Sequence, residues 1–231
     1  MERARVVAVV VAAGSGTRLG GDVPKALRTI GGRPVVAVAV DAALASPSID
    51  AVVVVAPPGS EDPLRDMFAE AAPGSVIVVT GGATRQRSVA AGLDAAGDHV
   101  EVVAVHDAAR PFASPALFTS VVRAVDAGAD AAVPVVSLVD TVKRVRDGSI
   151  VGTESRDGLA LAQTPQACRL DLLRAAIAKA EASSLDFTDD SGLMEWAGAS
   201  VRTVAGEPGN VKITTASDLA RADELAGIGR E

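Results

Sequence analysis

The amino-acid sequence predicts an α/β fold: an open, twisted, mostly parallel sheet with helices on both faces and a projecting β-hairpin arm. Three observations predict it. Short valine-rich runs recur along the chain and are apolar on both faces, the pattern of parallel strands covered from each side. Helix-length stretches fill the intervals, and right-handed crossovers close that strand–helix rhythm into one sheet, a Rossmann-like arrangement. The rhythm then breaks at an alternating, charged segment folded about Asp147-Gly148, a hairpin too polar for the interior of a sheet.

In chain order the predicted strands are Val6–Val11, Ala51–Ala56, Val76–Thr80, Val102–Asp107 and Ala131–Val136. Between them Pro34–Ala45, Pro63–Ala71, Thr84–Ala96 and Ser114–Ala127 read as helices. Val139–Arg146 and Ser149–Thr153 pair across Asp147-Gly148, and residues 138–156 make the arm. Helices follow at Arg169–Ala182 and at Thr188–Gly198, the second opened by Thr188-Asp189-Asp190, which has N-cap chemistry and acids in the positive first turn. Val201–Ala205 and Val211–Thr214 read as short strands, and Ala216–Ala226 as a closing helix. There is no internal repeat or low-complexity tract, so residues 1–231 read as one domain with an arm.

Composition narrows the function classes. At 231 residues and 48% hydrophobic, the chain can bury a substantial core and is not disordered. Its 22 Lys and Arg against 29 Asp and Glu leave a net charge of −7, which argues against a non-specific nucleic-acid or anionic-membrane binder while allowing a local cationic pocket. The single cysteine, Cys168, can form no internal disulfide and has no paired base, so a buried inert thiol is favoured. With only His99 and His106 there is no Cys/His zinc cluster, and His106, lacking a nucleophilic serine motif, reads as a strand-end residue. No apolar run approaches a membrane span and no secretory cleavage site follows Met1, so the chain reads as cytoplasmic.

The first strand runs into Ala12-Ala13-Gly14-Ser15-Gly16-Thr17-Arg18-Leu19-Gly20-Gly21, followed by Pro24-Lys25. Consecutive N–H groups at such glycines can form an anion-binding nest, and flanking cations suit a polyphosphate. A dinucleotide fingerprint fails because Leu19 replaces the third glycine, and a P-loop fails because Asp22 follows Gly21. The loop resembles the signature of nucleotidyltransferases that activate sugar or polyol phosphates. Val105-His106-Asp107-Ala108-Ala109-Arg110-Pro111 and Gly81-Gly82-Ala83-Thr84-Arg85-Gln86-Arg87-Ser88-Val89 resemble segments of the 2-C-methyl-D-erythritol 4-phosphate cytidylyltransferases of the non-mevalonate isoprenoid pathway. Asp140-Thr141-Val142-Lys143, Arg156-Asp157-Gly158-Leu159, Thr164-Pro165-Gln166, Thr188-Asp189-Asp190 and Asn210-Val211-Lys212-Ile213-Thr214 match in the same order. Val11, Ala83 and Ala160 depart from the family's usual residues, and none of them is a charged catalytic position.

The resemblance implies that this chain transfers a cytidylyl group from CTP to methylerythritol phosphate with release of pyrophosphate. By it, Arg18 and Lys25 stabilise the triphosphate and the five-coordinate α-phosphorus, while Arg156 and Lys212 hold the polyol phosphate for in-line attack. The resemblance further implies that Ala12, Ala13, Gly14, Gly16, Gly81, Gly82, Ser88, Asp107 and Ala108 contact the nucleotide and that Arg110, Thr141, Thr164 and Thr188 contact the substrate. Alternatives stand beside three of these: Asp107 as a helix cap, Arg110 in a structural ion pair, and Ser88 as a helix cap. Mg²⁺ is the implied cofactor, carried by the CTP phosphates or by Asp107. In the family the arm crosses to the partner subunit, so Thr141 and Arg156 are expected to serve the neighbour's site in a homodimer. Some family members are fused to a downstream cyclodiphosphate synthase, and the sequence to Glu231 holds no second metal-ligand set. The competing readings are a ribitol- or other polyol-phosphate cytidylyltransferase, a sugar-1-phosphate nucleotidyltransferase, and a non-catalytic nucleotide-binding module. With no tyrosine and no ring in any nucleotide motif, the base is expected to rest on backbone amides and small side chains.

Overall fold

The computed structural model describes residues 5–14, 24–72 and 74–228. The first strand, β1 (Val6–Val11), lies at the centre of an eight-stranded sheet, flanked by β4 (Ala51–Ala56) and β6 (Val102–Asp107), both parallel to it. β5 (Val76–Thr80) extends the sheet beyond β4, again in parallel. Alternate valines of these strands divide the core between two faces. Val6, Ala8 and Val10 pack with α1 (Val35–Leu44), α2 (Glu61–Ala71) and α4 (Pro115–Asp126). Val7 and Val9 pack on the other face with α3 (Arg85–Ala96), α5 (Leu170–Ala182) and α6 (Asp190–Ala197). β-branched side chains on both faces suit such a strand, and no polar alternation is needed because neither face meets water.

The second half departs from a simple α/β rhythm. β7 (Ala131–Ser137) does not pair with β6. Instead β11 (Gln166–Arg169) runs antiparallel between them, with Cys168 opposite both Val103 and Ala131. β10 (Ala160–Ala162) pairs the later stretch of β7, and β12 (Val201–Ala205) runs parallel to β7. β10 and β11 are three and four residues long, too short for periodicity to reveal. A two-residue ladder, β2 (Thr29–Ile30) with β3 (Arg33–Pro34), was equally invisible. The closing helix α7 (Ala216–Ile228) covers it, burying Ile30, Val35, Ile213 and Ala222 together.

The arm is present: β8 (Lys143–Arg146) and β9 (Ser149–Thr153) pair in a two-stranded sheet of their own. Asp147 and Gly148 both have positive φ (49° and 74°), as a tight hairpin turn with right-handed twist requires. Residues 211–214 are not a strand, although their apolar alternation predicts one. Only Ile213 is fully buried there, and its N–H bonds the Ala109 carbonyl rather than a ladder partner. The α6 cap also differs from expectation. Asp189 occupies the N-cap without bonding the helix N–H groups, because its carboxylate takes the Ser191 hydroxyl at 2.5 Å and the Gln166 amide at 3.4 Å. Among the described residues no helix is long and apolar enough to cross a membrane.

Candidate active site

The C-terminal ends of β6, β1, β4 and β5 lie in that order along one edge of the sheet, where open α/β sheets present ligand sites. Past those edges the backbone keeps its order: Ala12 N–H bonds Val55 O, Gly81 N–H bonds Ala56 O and Ala108 N–H bonds Val11 O, at 2.9, 2.9 and 3.1 Å. The three turns enclose a cleft of about 350 Å³. Ala12, Ala13, Gly14, Gly82, Ser88, Asp107 and Ala108 line it, and Lys25, Arg85 and Lys212 give it three cations. Seven of the nine expected nucleotide contacts therefore converge, with Gly81 immediately before the lining. Gly16 and Arg18 lie outside the described residues. No ring lines the cleft among the described residues.

Gly81 and Gly82 are dictated by contact rather than by strained dihedrals. A Cβ on Gly81 would stand 2.2 Å from the Ala13 Cβ, and one on Gly82 2.5 Å from the Arg87 Cβ. Ser88, fully buried, closes the turn: its hydroxyl accepts from Gly82 N–H at 3.1 Å and donates to the Thr84 carbonyl at 2.9 Å. It is not the helix cap, since Thr84 fills that position by accepting from Arg87 N–H.

Asp107 is the electrostatic centre. Its Oδ1 accepts from Arg85 Nε at 3.3 Å and its Oδ2 from Lys212 Nζ at 2.5 Å, while Arg85 Nη2 reaches Asp190 at 2.7 Å. Burial alone pushes the Asp107 carboxyl up, but Arg85 and Lys212 outweigh it and hold the group well below the usual carboxylate range. Burial likewise pulls the Arg85 guanidinium down, and Asp190 and Asp107 more than restore it. Asp107 thus aims two cations and is no free base. Lys25, on the short 3-10 turn Lys25–Leu27, donates from Nζ to the Ile213 carbonyl at 3.2 Å.

The remaining expected substrate contacts lie elsewhere. Among the described residues Arg110 makes no ion pair; its guanidinium donates to the Asn210 carbonyl at 2.7 Å and the Ala162 carbonyl at 3.4 Å. Thr164 is buried behind the cleft, its hydroxyl accepting from Asp107 N–H at 3.0 Å and bonding His106 Nδ1 at 3.1 Å. Thr188 and Thr141 are exposed, and Arg156 sits at the base of the arm bonded to the Leu138 and Val139 carbonyls. His106 is more than a strand-end residue: it is fully buried, against Phe118. Cys168 is buried as expected, and burial pushes its thiol up, away from nucleophilic range.

Sequence reasoning passed over Arg85 and Asp190 as site residues. Arg85 stood inside the Gly81–Val89 motif at a helix start, next to the glycine turn, and that position was its signal. Asp190 reads in sequence as a first-turn acid; its partner Arg85 lies 105 residues away.

The family model described as 2-C-methyl-D-erythritol 4-phosphate cytidylyltransferase matches residues 6–227. A Frankia casuarinae protein of that name is 46% identical over 222 residues, covering 96% of this chain and 81% of its own. A Nitrobacter winogradskyi protein named Bifunctional enzyme IspD/IspF is 44% identical over 95% of this chain, which spans 55% of that longer protein. Among solved structures, the 4-diphosphocytidyl-2C-methyl-D-erythritolsynthase of Anaerococcus prevotii superposes with a TM-score of 0.83 at 34% identity, covering 96% of this chain and 98% of its own.

Proposed function

The chain belongs to the 2-C-methyl-D-erythritol 4-phosphate cytidylyltransferase family, and from that membership we propose how its cleft performs the family's reaction. It is a nucleotidyltransferase that joins the cytidylyl group of CTP to 2-C-methyl-D-erythritol 4-phosphate and releases pyrophosphate. A phosphate oxygen of the polyol attacks the α-phosphorus in line. The new P–O bond forms as the bond to the β-bridging oxygen breaks, and pyrophosphate leaves with that electron pair. The nucleophile is already an anion, so no general base is required. The barrier lies in bringing polyanions together and stabilising charge on the transferred group.

One observation carries this reading: Lys25, Arg85 and Lys212 converge on a cleft floored by glycine and alanine turns, with Asp107 holding two of them. Lys25 and Lys212 meet the triphosphate and the incoming phosphate; Arg18, which the resemblance assigns to the triphosphate as well, lies outside the described residues. Gly82, Ala12 and Ala13 offer backbone to the nucleoside, and the buried Ser88 keeps that turn closed. Arg110 and Thr188 serve the polyol side, whereas Thr164, expected there, is buried with its hydroxyl engaged by Asp107 N–H and His106 and supports the end of β6 instead. The arm leaves Val139, Val145, Ile150 and Val151 exposed, which supports a homodimer in which Thr141 and Arg156 serve the neighbouring cleft. A cytoplasmic location accords with the composition and with a free buried thiol.

The described residues do not fit a protein-held Mg²⁺. Both Asp107 oxygens are taken by cations, and no group of three His, Cys, Asp or Glu side chains is placed to bind a metal among the described residues. Mg²⁺ would instead be carried by the phosphates of CTP, where it would neutralise their charge. The test is pyrophosphate release with CTP, UTP and GTP, with and without Mg²⁺, against a panel of polyol phosphates. Methylerythritol phosphate with CTP should be preferred; higher kcat/KM with ribitol 5-phosphate, or with UTP, would overturn the assignment.

A further inference from the structure

Lys212 reaches Asp107 from a stretch with no regular structure: residues 206–214 belong to neither helix nor strand. A lysine on such a loop should sample many positions, yet its Nζ lies 2.5 Å from Asp107 Oδ2. Two buried side-chain amides take the place of the missing ladder. Asn210, fully buried, donates from Nδ2 to the Thr164 carbonyl at 2.9 Å and to Gln163 Oε1 at 3.3 Å. Gln163, also buried, accepts at Oε1 from Glu207 N–H at 3.0 Å and donates from Nε2 to the carbonyls of Glu207 at 2.8 Å and Asn210 at 3.3 Å.

The two amides therefore grip both ends of the turn from Glu207 to Asn210. The fit is close, because a Cβ on Gly206 would stand 2.7 Å from Gln163 Oε1. On the far side of Lys212, Ile213 is fully buried and its N–H bonds the Ala109 carbonyl at 2.8 Å. Lys212 is thus held two residues before and one residue after itself. The Asn210 carbonyl also accepts from Arg110, so the same residue links two cations of the proposed machinery. Asn210 Oδ1 has no partner among the described residues, so the donor half of its amide does the holding.

We propose that Asn210 and Gln163 are positioning residues for phosphoryl transfer: their amides fix the 206–213 loop so that Lys212 stands against Asp107 and faces the transferred group. This rests on Lys212 being an active-site cation, as proposed above. A pair that merely stabilised the fold would lower melting temperature and leave the kcat of the folded enzyme alone. A misplaced charge in phosphoryl transfer lowers kcat instead.

The experiment measures kcat, KM and melting temperature for the full chain and for Asn210→Ala, Lys212→Ala and the double variant. Asn210→Ala, assayed below its melting temperature, should lose about 100-fold in kcat with a much smaller change in KM for CTP. In the Lys212→Ala background the same substitution should have little further effect, because both act through one ammonium group. Should Asn210→Ala fail to fold, Asn210→Asp keeps the shape, removes the Nδ2 donors and should show the same kcat loss. Near-normal kcat in the folded Asn210 variant, or losses that multiply in the double variant, would overturn the proposal alone. Wild-type kcat in Lys212→Ala would instead overturn the reading of Lys212 and take the proposal with it.

Discussion

A methyl group at position 81 has nowhere to go, since it would overlap Ala13 and press on the Ala56 carbonyl and the Ser88 hydroxyl. Gly81→Ala should destabilise the chain by about 1–3 kcal/mol, the usual cost of overpacking, and should raise KM for CTP more than it lowers kcat. An unchanged melting temperature and KM would show that the turn yields freely. His106 gives a pH prediction. A carbonyl can only accept, so its Nε2 donates to Arg110 O at 3.0 Å and its Nδ1 accepts from the Thr164 hydroxyl, whose oxygen takes Asp107 N–H. Burial lowers the pKa of His106 from 6.5 to about 4 despite the nearby Asp107 carboxylate. Between those values the unfolded chain binds the proton and the folded chain does not, so stability falls as pH drops from 6.5 towards 4. The loss is on the order of 3 kcal/mol, taking roughly 1.4 kcal/mol per pH unit. Thermal melts across that window should show it, and His106→Gln should flatten the curve; the same slope in the variant would remove His106 as the cause.

At the scale of the elements, the arm is the clearest case of a part not stable alone. A two-stranded hairpin is marginal in water, and here Ile150 is 66% and Val145 59% exposed. If the arm delivers Arg156 to a partner's cleft, mixing Arg156→Ala subunits with Lys25→Ala subunits should regenerate one intact site per heterodimer. Each variant alone should be nearly inactive, and the mixture should recover a measurable fraction of turnover; no recovery would mean that each cleft is complete within one chain. Elements also mark where the sequence was readable. Strands buried on both faces announced themselves by continuous valine, and the hairpin by Asp-Gly. β10 and β11 did not, because three or four residues carry no period and their pairing partners lie 23 or more residues earlier.

For the whole molecule, a net charge of −7 coexists with a cleft where Lys25, Arg85 and Lys212 meet. Bulk charge describes the solvated surface, whereas the site depends on a few cations placed by buried turns. The glycine turns, Asp107, Lys25 and Lys212 were legible because each sits in a local motif. Arg85–Asp190 and Gln163–Asn210 were not, since each pairing exists only once distant segments fold together. The order of the strands has a further consequence, one for biosynthesis. β6 is complete at residue 107, but the strand that covers its outer edge begins at residue 166, after β7, the arm and β10 have been made. A chain emerging from the ribosome can therefore assemble β5, β4, β1 and β6 early, while the open edge of β6 waits for β11 to be inserted. Until then it offers unpaired backbone to any passing strand, and the nascent half-sheet, rather than the finished enzyme, is where this fold is most exposed to misassembly.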